Sequence, residues 1–178
     1  LETGGADVDA RNQNMTTALI ACAAVDRCPA DTVRVLLSAG ASVDAHDSHG
    51  ATALHHASRQ GRIELVGLLV RSGASVEARN HLGFTALALA ADQGQSKAVA
   101  ALVAAGADVD ARNKDRETAL MHASSRGYVE AVVALLAAEA DIHAQDERGA
   151  TALTRARDEG HTEVERLIAE RDREKREL

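Results

Sequence analysis

Small and branched apolar residues recur along this chain in blocks of nearly fixed length, and each block contains the tripeptide Thr-Ala-Leu near its start. A fixed period of about 33 residues is typical of repeat proteins, whose units bury their apolar faces only by stacking on neighbours. The five copies of the tripeptide, separated by 35, 33, 33 and 33 residues, begin at Thr17, Thr52, Thr85, Thr118 and Thr151. We therefore predict a single repeat domain over 1–178, with a partial unit at 1–11 and units at 12–46, 47–79, 80–112, 113–145 and 146–178.

Each unit contains the pattern of two short helices and an extended arm. In the second unit, the Thr52 hydroxyl caps a first helix that Gly61 ends. A second helix runs from about Ile63 to Arg71 and stops before Gly73, which tolerates left-handed backbone. Residues 74–78 then alternate like an exposed strand, and the chain turns at 80–83. The predicted fold class is an all-α repeat solenoid of helix-turn-helix units with β-hairpin arms.

The residues around each Thr resemble those of the ankyrin repeat family. Residues 47–57 read Asp-Ser-His-Gly-Ala-Thr-Ala-Leu-His-His-Ala and parallel the Thr-Pro-Leu-His motif of that family, with Ala53 in place of Pro. The resemblance covers all 178 residues. It implies a curved solenoid that binds a protein or peptide partner through its hairpin tips and the concave face of its inner helices, without catalysis.

The composition fits this picture and argues against other classes of function. The chain has one Tyr, one Phe and no Trp, so thin layers of Ala, Val and Leu must form its core. A formal charge of −7 and the lack of aromatic stacking platforms argue against nucleic acid as a partner. No uncharged apolar run reaches the length of a membrane span. We expect a cytoplasmic monomer with no membrane partner; an exported or host-targeted protein stays open, because we predict that residues precede Leu1.

Three kinds of departure from the repeat carry further predictions. Met15, Arg116 and Glu139 replace glycines of the other units, which places non-Gly residues at positive φ at a cost of about 1 kcal/mol each. The first unit has two extra residues between Cys22 and Leu36, as either a partner-specific bulge or a neutral insertion. In the last unit, Glu165 replaces the Val of the second helix, and Arg155 and Arg157 stand where earlier units have Ala21 and Ala23, His56 and Ser58, or Leu89 and Ala91, which indicates that 146–178 is a C-terminal cap.

The sequence offers few groups for catalysis or metal binding. Cys22 stands at a small-residue position, so we predict a buried spacer with an inert thiol, whereas Cys28 in the loop should be exposed and oxidisable. We predict no disulfide between them, because it would require the loop to fold back. The eight His residues lack the spacing of a zinc site. We therefore expect no enzyme activity, no cofactor and no metal.

The resemblance implies a contact surface made of hairpin tips and the ends of the first helices. The tips contribute His49, His81, Leu82, Phe84, Lys114, Asp115 and Glu117, and the helix ends contribute Arg59, Gln60, Asp92, Gln93, Ser125 and Arg126. Phe84 and Leu82 are predicted to form an exposed apolar anchor of the kind that dominates interface energies. The alternative is that Phe84 folds over a neighbouring hairpin and covers Leu82.

A second series of charged residues follows the arms. Arg11, His46, Arg79 and Arg112 occupy one equivalent position and could form a basic ladder for an acidic peptide, but an acid lies two residues before each of them. We favour local neutralisation by these acids, which are Asp9, Asp44, Glu77 and Asp110.

Two functions remain open at this point. The first is a non-catalytic protein-protein interaction module. The second is the targeting or regulatory arm of a longer polypeptide whose enzymatic domain lies outside this chain, and the length of the native open reading frame would separate the two.

Overall fold

The computed structural model describes residues 7–177 and contains ten helices within that range. The partial unit predicted at 1–11 is thus described only from Asp7 onward. Five inner helices each have seven residues: α1 Ala18–Ala24, α3 Ala53–Arg59, α5 Ala86–Asp92, α7 Ala119–Ser125 and α9 Ala152–Asp158. Four outer helices have nine residues and the last has sixteen: α2 Ala30–Ser38, α4 Ile63–Arg71, α6 Ser96–Ala104, α8 Val129–Ala137 and α10 Thr162–Glu177. The order of paired helices confirms the predicted repeat solenoid.

The helices form two layers around an aromatic-poor core. Each inner helix packs on the next inner helix and on its own outer partner, and the outer helices follow the same order. The small position of the inner helices is fully buried at Ala57, Ala90, Ala123 and Ala156. Branched residues such as Val66 and Val99 fill the outer layer at no more than 1% exposure. Small side chains let adjacent layers approach closely, which explains how a core can form almost without rings.

The repeated Thr starts the inner helices as predicted. Thr17, Thr85, Thr118 and Thr151 each accept a hydrogen bond from the backbone N–H three residues later. In the second unit the Thr52 N–H donates to His55 Nδ1 at 3.1 Å, so the proton of the neutral ring lies on Nε2 and is donated to the Phe84 carbonyl at 3.0 Å. Burial holds the pKa of His55 below its ordinary value, which favours this neutral form. His55 thereby ties the start of α3 to the next hairpin.

Side-chain turns shape most of each arm. Within the described range, β pairing is limited to one isolated antiparallel bridge between His46 and Thr52. The Asp47 carboxylate accepts N–H bonds from His49 at 2.8 Å and from Ala51 at 2.9 Å. The same two-bond turn occurs at each equivalent Asn or Asp, namely Asn12, Asn80, Asn113 and Asp146. These short side chains satisfy tip amides that a longer strand ladder would otherwise bind.

Met15, Arg116 and Glu139 have φ angles of 58°, 62° and 62°, which confirms the predicted left-handed positions. Two of these side chains differ in their surroundings. Arg116 is exposed and forms no ion pair within residues 7–177, whereas Glu139 contacts Arg171 and lies 3.3 Å from Lys175 of α10. The conformational cost at Glu139 is therefore offset by contacts that Arg116 does not have.

The cysteine prediction is wrong. A disulfide joins Cys22 of α1 to Cys28 of the following loop, with the two Cα atoms 5.2 Å apart, so Cys22 is not the free, inert thiol that its position suggested. The two extra residues let the loop fold back far enough for the bond to form. Arg62 from the next unit also holds the loop, because its guanidinium donates to the carbonyls of Cys22 at 2.6 Å and Val25 at 2.7 Å and contacts that of Cys28.

The last two helices are rich in ion pairs. Glu165, at the position of the buried valines, is partly exposed and lies 2.7 Å from Arg157. Arg166 pairs with Glu163 at 2.6 Å and Glu170 at 2.7 Å along α10. These contacts satisfy charges on a polar outer surface, and the capping role of 146–178 stays a prediction.

Candidate functional site

The hairpin tips and the exposed sides of the inner helices form one continuous side of the solenoid, here called the inner face. Two grooves lie on it. Groove A, about 580 Å³, lies between the hairpins at 47–51 and 80–84, above α3 and α5. Groove B, about 560 Å³, lies between the tip residues at 115–117 and 146–150, above α7 and α9. Both grooves are products of the repeat, because each separates two successive hairpins.

Groove A combines apolar side chains with histidines and one arginine. Its apolar side chains come from Ala51, Leu82, Phe84 and Leu89, and its lining also contains Arg59 and four histidines, His49, His55, His56 and His81. Leu82 is 65% exposed, which is unusual for a large apolar residue on this chain. Arg59 is exposed and forms no ion pair within the described range. A large apolar side chain and a cation without an ion pair are thus available to a ligand in the same groove.

Phe84 is not the free ring that the sequence suggested. The residue is half-buried, and its ring packs against His122 of α7 with centroids 4.9 Å apart and planes inclined by 39°. Phe84 therefore packs on a histidine of the next inner helix and does not cover Leu82, so the alternative arrangement is wrong, and of the predicted apolar anchor Leu82 is exposed while Phe84 is only partly so. The packing leaves one part of the Phe84 ring in the wall of groove A and leaves Leu82 without cover.

The two carboxylates of groove A already have partners. Asp47 is buried and lies 2.9 Å from His56 Nε2, besides its two backbone bonds. Burial alone would raise the pKa of Asp47, but the His56 hydrogen bond and the two N–H donors lower it below the ordinary value. Asp92 lies 3.1 Å from Arg126. Both acids of groove A are thus bound by other residues of the protein, whereas Arg59 has no ion-pair partner in the described range.

His122 lies between the two grooves, with carboxylates on both sides. Its Nδ1 is 3.7 Å from Asp92, and its Nε2 is 3.3 Å from Glu117 but outside hydrogen-bonding geometry. Burial lowers the pKa of His122 and outweighs the two carboxylates, which would raise it. The ring is therefore predominantly neutral at pH 7, which suits its packing against Phe84.

Groove B is acidic. Arg155 of α9 bridges Glu117 at 2.6 Å and Asp146 at 2.5 Å. Burial would raise the pKa of each of these two carboxyl groups, but Arg155 lowers both below their ordinary values. The remaining charged residues of the lining are Asp115, Glu147, Arg148, Asp158 and Glu159. Six carboxylates therefore face two guanidinium groups, which leaves a formal charge of −4.

Most of the predicted contact residues lie in or beside these grooves. Groove A contains His49, Arg59, His81, Leu82, Phe84 and Asp92, and groove B contains Asp115, Glu117 and Ser125. The other four do not line either groove: Gln60 approaches the Ala24 carbonyl at 3.5 Å, Gln93 and Arg126 bind Asp92, and Lys114 is exposed on a hairpin tip.

Sequence reasoning missed one series of groove residues. His56, Leu89, His122 and Arg155 recur at intervals of 33 residues on the inner helices, and each contacts or borders a groove. It also missed Asp158 and Glu159, although they are equivalent by the same period to the predicted Ser125 and Arg126. The cap interpretation had drawn attention to the outer side of the last unit. Extending the period to that unit would have found them.

The charged ladder of the arms joins neighbouring units. The Arg11 guanidinium donates to the His46 carbonyl at 3.3 Å, that of Arg112 donates to the Gln145 carbonyl at 2.9 Å, and that of Arg79 contacts the Arg112 carbonyl. The acids at the preceding position accept backbone N–H bonds from the following arm: Asp9 from Ser42, Asp44 from Ser75, Glu77 from Asp108 and Asp110 from Asp141. Within residues 7–177 none of these acids pairs with its basic neighbour. Local neutralisation is thus the wrong interpretation.

Across residues 7–177, no helix combines the length and apolarity that a bilayer crossing requires. In the same range no group of three or more His, Cys, Asp or Glu side chains is arranged to hold a metal ion.

The stacked helix pairs and the grooved inner face define a helical repeat solenoid of the class that serves as a binding module. The family model described as "Ankyrin repeats (3 copies)" matches residues 1–80 and again residues 87–177. The chain therefore belongs to the ankyrin repeat family, which is a general protein-protein interaction module. No curated protein matches the chain in a sequence search.

Proposed function

We propose that this chain is a non-catalytic interaction module that binds a protein or peptide through its inner face. The observation that carries the proposal is the exposed Leu82 of groove A, whose lining also contains Arg59, a guanidinium without an ion pair in the described range. Large apolar side chains in a groove are typical of interface anchors, and mobile charges at the rim set orientation and specificity.

The titratable groups of the inner face support binding more than catalysis. Shifted pKa values mark catalytic candidates in general, but structural contacts also produce them. Here Asp47 binds His56 and two tip amides, while Glu117 binds Arg155. Each shift is accounted for by a contact that holds a hairpin to an inner helix.

The proposed contact residues follow from the geometry. Leu82, His49, His81 and Arg59 contact the partner in groove A, and Asp115 and Ser125 contact it in groove B. Lys114, Gln60, Gln93 and Arg126 line neither groove, and we propose that they contact parts of the partner outside the grooves. Phe84, Asp92 and Glu117 act mainly by holding the walls of the grooves.

The same face would serve a longer polypeptide in which this chain is the targeting or regulatory arm of an enzyme, and the native open reading frame tests that alternative. We propose that the chain acts as a monomer. The Cys22–Cys28 bond weighs against the cytoplasmic location expected from sequence, because disulfides persist mainly in oxidising compartments.

Selection from a displayed library of random peptides tests the proposal. Peptides enriched on the wild-type protein are measured against Leu82→Ser and, as a matched control, Val35→Ser on the outer helix α2. Both residues are 65% exposed, so the two substitutions have similar small costs in stability. We expect Leu82→Ser to weaken most peptides about fivefold or more and Val35→Ser to leave them unchanged. Equal binding to both variants, or no enriched peptide, would overturn the proposal.

A further inference from the structure

Grooves A and B differ in the chemistry that they offer to one ligand. Groove A combines the apolar Leu82, Phe84 and Leu89 with Arg59 and four histidines, and its two acids are bound within the protein. Groove B has less apolar surface and an excess of carboxylates. The inner face therefore changes from a largely apolar groove with an unpaired arginine to a strongly acidic groove.

The negative charge of groove B is available to a partner. Arg155 engages only Glu117 and Asp146. The exposed carboxylates of Asp115, Glu147, Asp158 and Glu159 form no ion pair within residues 7–177. Arg148 is the one other guanidinium in the groove lining. An acidic ligand segment would meet repulsion here, and a basic segment would meet several free carboxylates.

The spacing of the two grooves sets the spacing of the ligand groups. Groove A lies over α3 and α5, and groove B lies over α7 and α9, so two inner-helix steps separate them. Packed helices are about 8–10 Å apart, which gives a separation of about 16–20 Å. An extended peptide rises about 3.3 Å per residue and covers that distance in about five or six residues.

We propose that the partner presents an extended segment with a large apolar side chain and, about five or six residues away, a cluster of Lys and Arg residues. The apolar side chain enters groove A beside Leu82, and the basic cluster lies over groove B. This inference rests on the proposed function and adds to it the chemical class and the spacing of the ligand. Charge complementarity selects the basic segment, since the same face repels an acidic one.

Synthetic peptides test the inference directly. The reference peptide carries one Leu, a Gly-Ser spacer of about four residues and four alternating Lys and Arg residues, so that the basic cluster begins about five residues from the Leu, and it is made in both chain directions. Three comparison peptides replace the Leu by Ser, replace the basic residues by Glu, or omit the spacer. Fluorescence anisotropy with the wild-type protein should show binding of the reference peptide in one direction and about fivefold or greater weakening for every comparison peptide.

Protein variants assign each half of the peptide to its groove. Asp158→Lys in groove B should weaken the reference peptide about fivefold or more and should reduce the salt dependence of binding. Glu130→Lys on the outer helix α8 is the matched control, because it makes the same change in net charge at an exposed carboxylate without an ion pair in the described chain. Equal effects of the two substitutions would overturn the proposal, because peptide binding would then depend on the net charge of the protein and not on groove B.

The outcomes separate this inference from the proposed function. Tighter binding of the Glu peptide, with loss in Leu82→Ser, would overturn the basic-segment proposal and leave the interaction module standing. If neither the synthetic peptides nor the displayed library bound the inner face, both proposals would fail. Sedimentation of the free protein should give a monomer. A dimer that Leu82→Ser dissociates would identify a second copy of the chain as the occupant and would overturn the proposal.

Discussion

Replacement of Arg155 tests whether its ion pairs with Glu117 and Asp146 stabilise the last two units. The side chains of Glu117 and Asp146 are only 18% and 4% exposed, and Arg155 is the cation that binds both. The substitution Arg155→Met retains most of the apolar stem and leaves the two carboxylates without their counter-charge. Removing one partner of a fully buried ion pair costs about 3–5 kcal/mol, and the partial exposure of Glu117 and Arg155 reduces our expectation to about 2 kcal/mol.

The same helix provides a matched control. Arg157, two residues further along α9, pairs with Glu165, but its side chain is 60% exposed. Exposed pairs contribute at most about 1 kcal/mol, so Arg157→Met should cost less than Arg155→Met. Urea denaturation at pH 7 measures the free energy of unfolding, and hydrogen exchange in α9 and α10 shows whether the last unit opens separately. Equal costs for the two substitutions would refute the assigned role of Arg155.

The stabilisation by Arg155 should also depend on pH in a definite direction. Arg155 lowers the folded-state pKa values of Glu117 and Asp146, whose ordinary values are 4.5 and 3.8. Their contribution to stability is therefore present above those ordinary values and is lost as the pH falls through the lowered ones. Without Arg155 this contribution is absent, so the difference in stability between wild type and Arg155→Met should shrink as the pH falls from 7 toward about 3. A difference that stays constant over this range would contradict the electrostatic explanation.

Two further predictions concern the backbone and the disulfide. Arg116→Gly should raise the free energy of unfolding by about 0.5–1 kcal/mol, because relief of the positive φ exceeds the added chain entropy of Gly; a loss of stability in urea would contradict this. Reduction of the Cys22–Cys28 bond, which spans six positions, should lower stability by about 2 kcal/mol through chain entropy. Intact mass before and after reduction and alkylation tests the bond itself, and a Cys22→Ala, Cys28→Ala variant that is insensitive to the reductant is the control.

The fold could be predicted because the same local sequence signals occur in several successive units. Each Thr cap and each helix-ending Gly acts within its own unit, so the period is enough to locate the helices. The positive φ angles at Met15, Arg116 and Glu139 were predictable for the same reason. The disulfide was not, because the insertion in the first unit has no counterpart in the others. The folded-back loop is also held by hydrogen bonds from Arg62 of the next unit, a contact that spacing alone does not reveal.

The grooves were only partly predictable, because their chemistry depends on which charges are already paired. Sequence identifies Asp47, Asp92 and Glu117 as acids on the inner face but does not show that His56, Arg126 and Arg155 bind them. Asp47 and Asp92 are bound within the protein, so the charged side chain without an ion pair in groove A is Arg59, whereas groove B keeps several unpaired carboxylates among the described residues. The division of the face is thus a property of pairing across neighbouring units, not of composition.

A contact between neighbouring units also changes which apolar residue is assigned to binding, as Phe84 shows. A single ring in a chain with so few aromatics suggests an anchor, yet the neutral His122 covers much of it. His122 belongs to the series His56, Leu89, His122 and Arg155, which occupies one equivalent position of successive inner helices. Phe84 packs on the His122 member of this series and contributes to the wall of groove A. Leu82, which lies on the same hairpin and is exposed, is therefore the better candidate for the apolar contact with a partner.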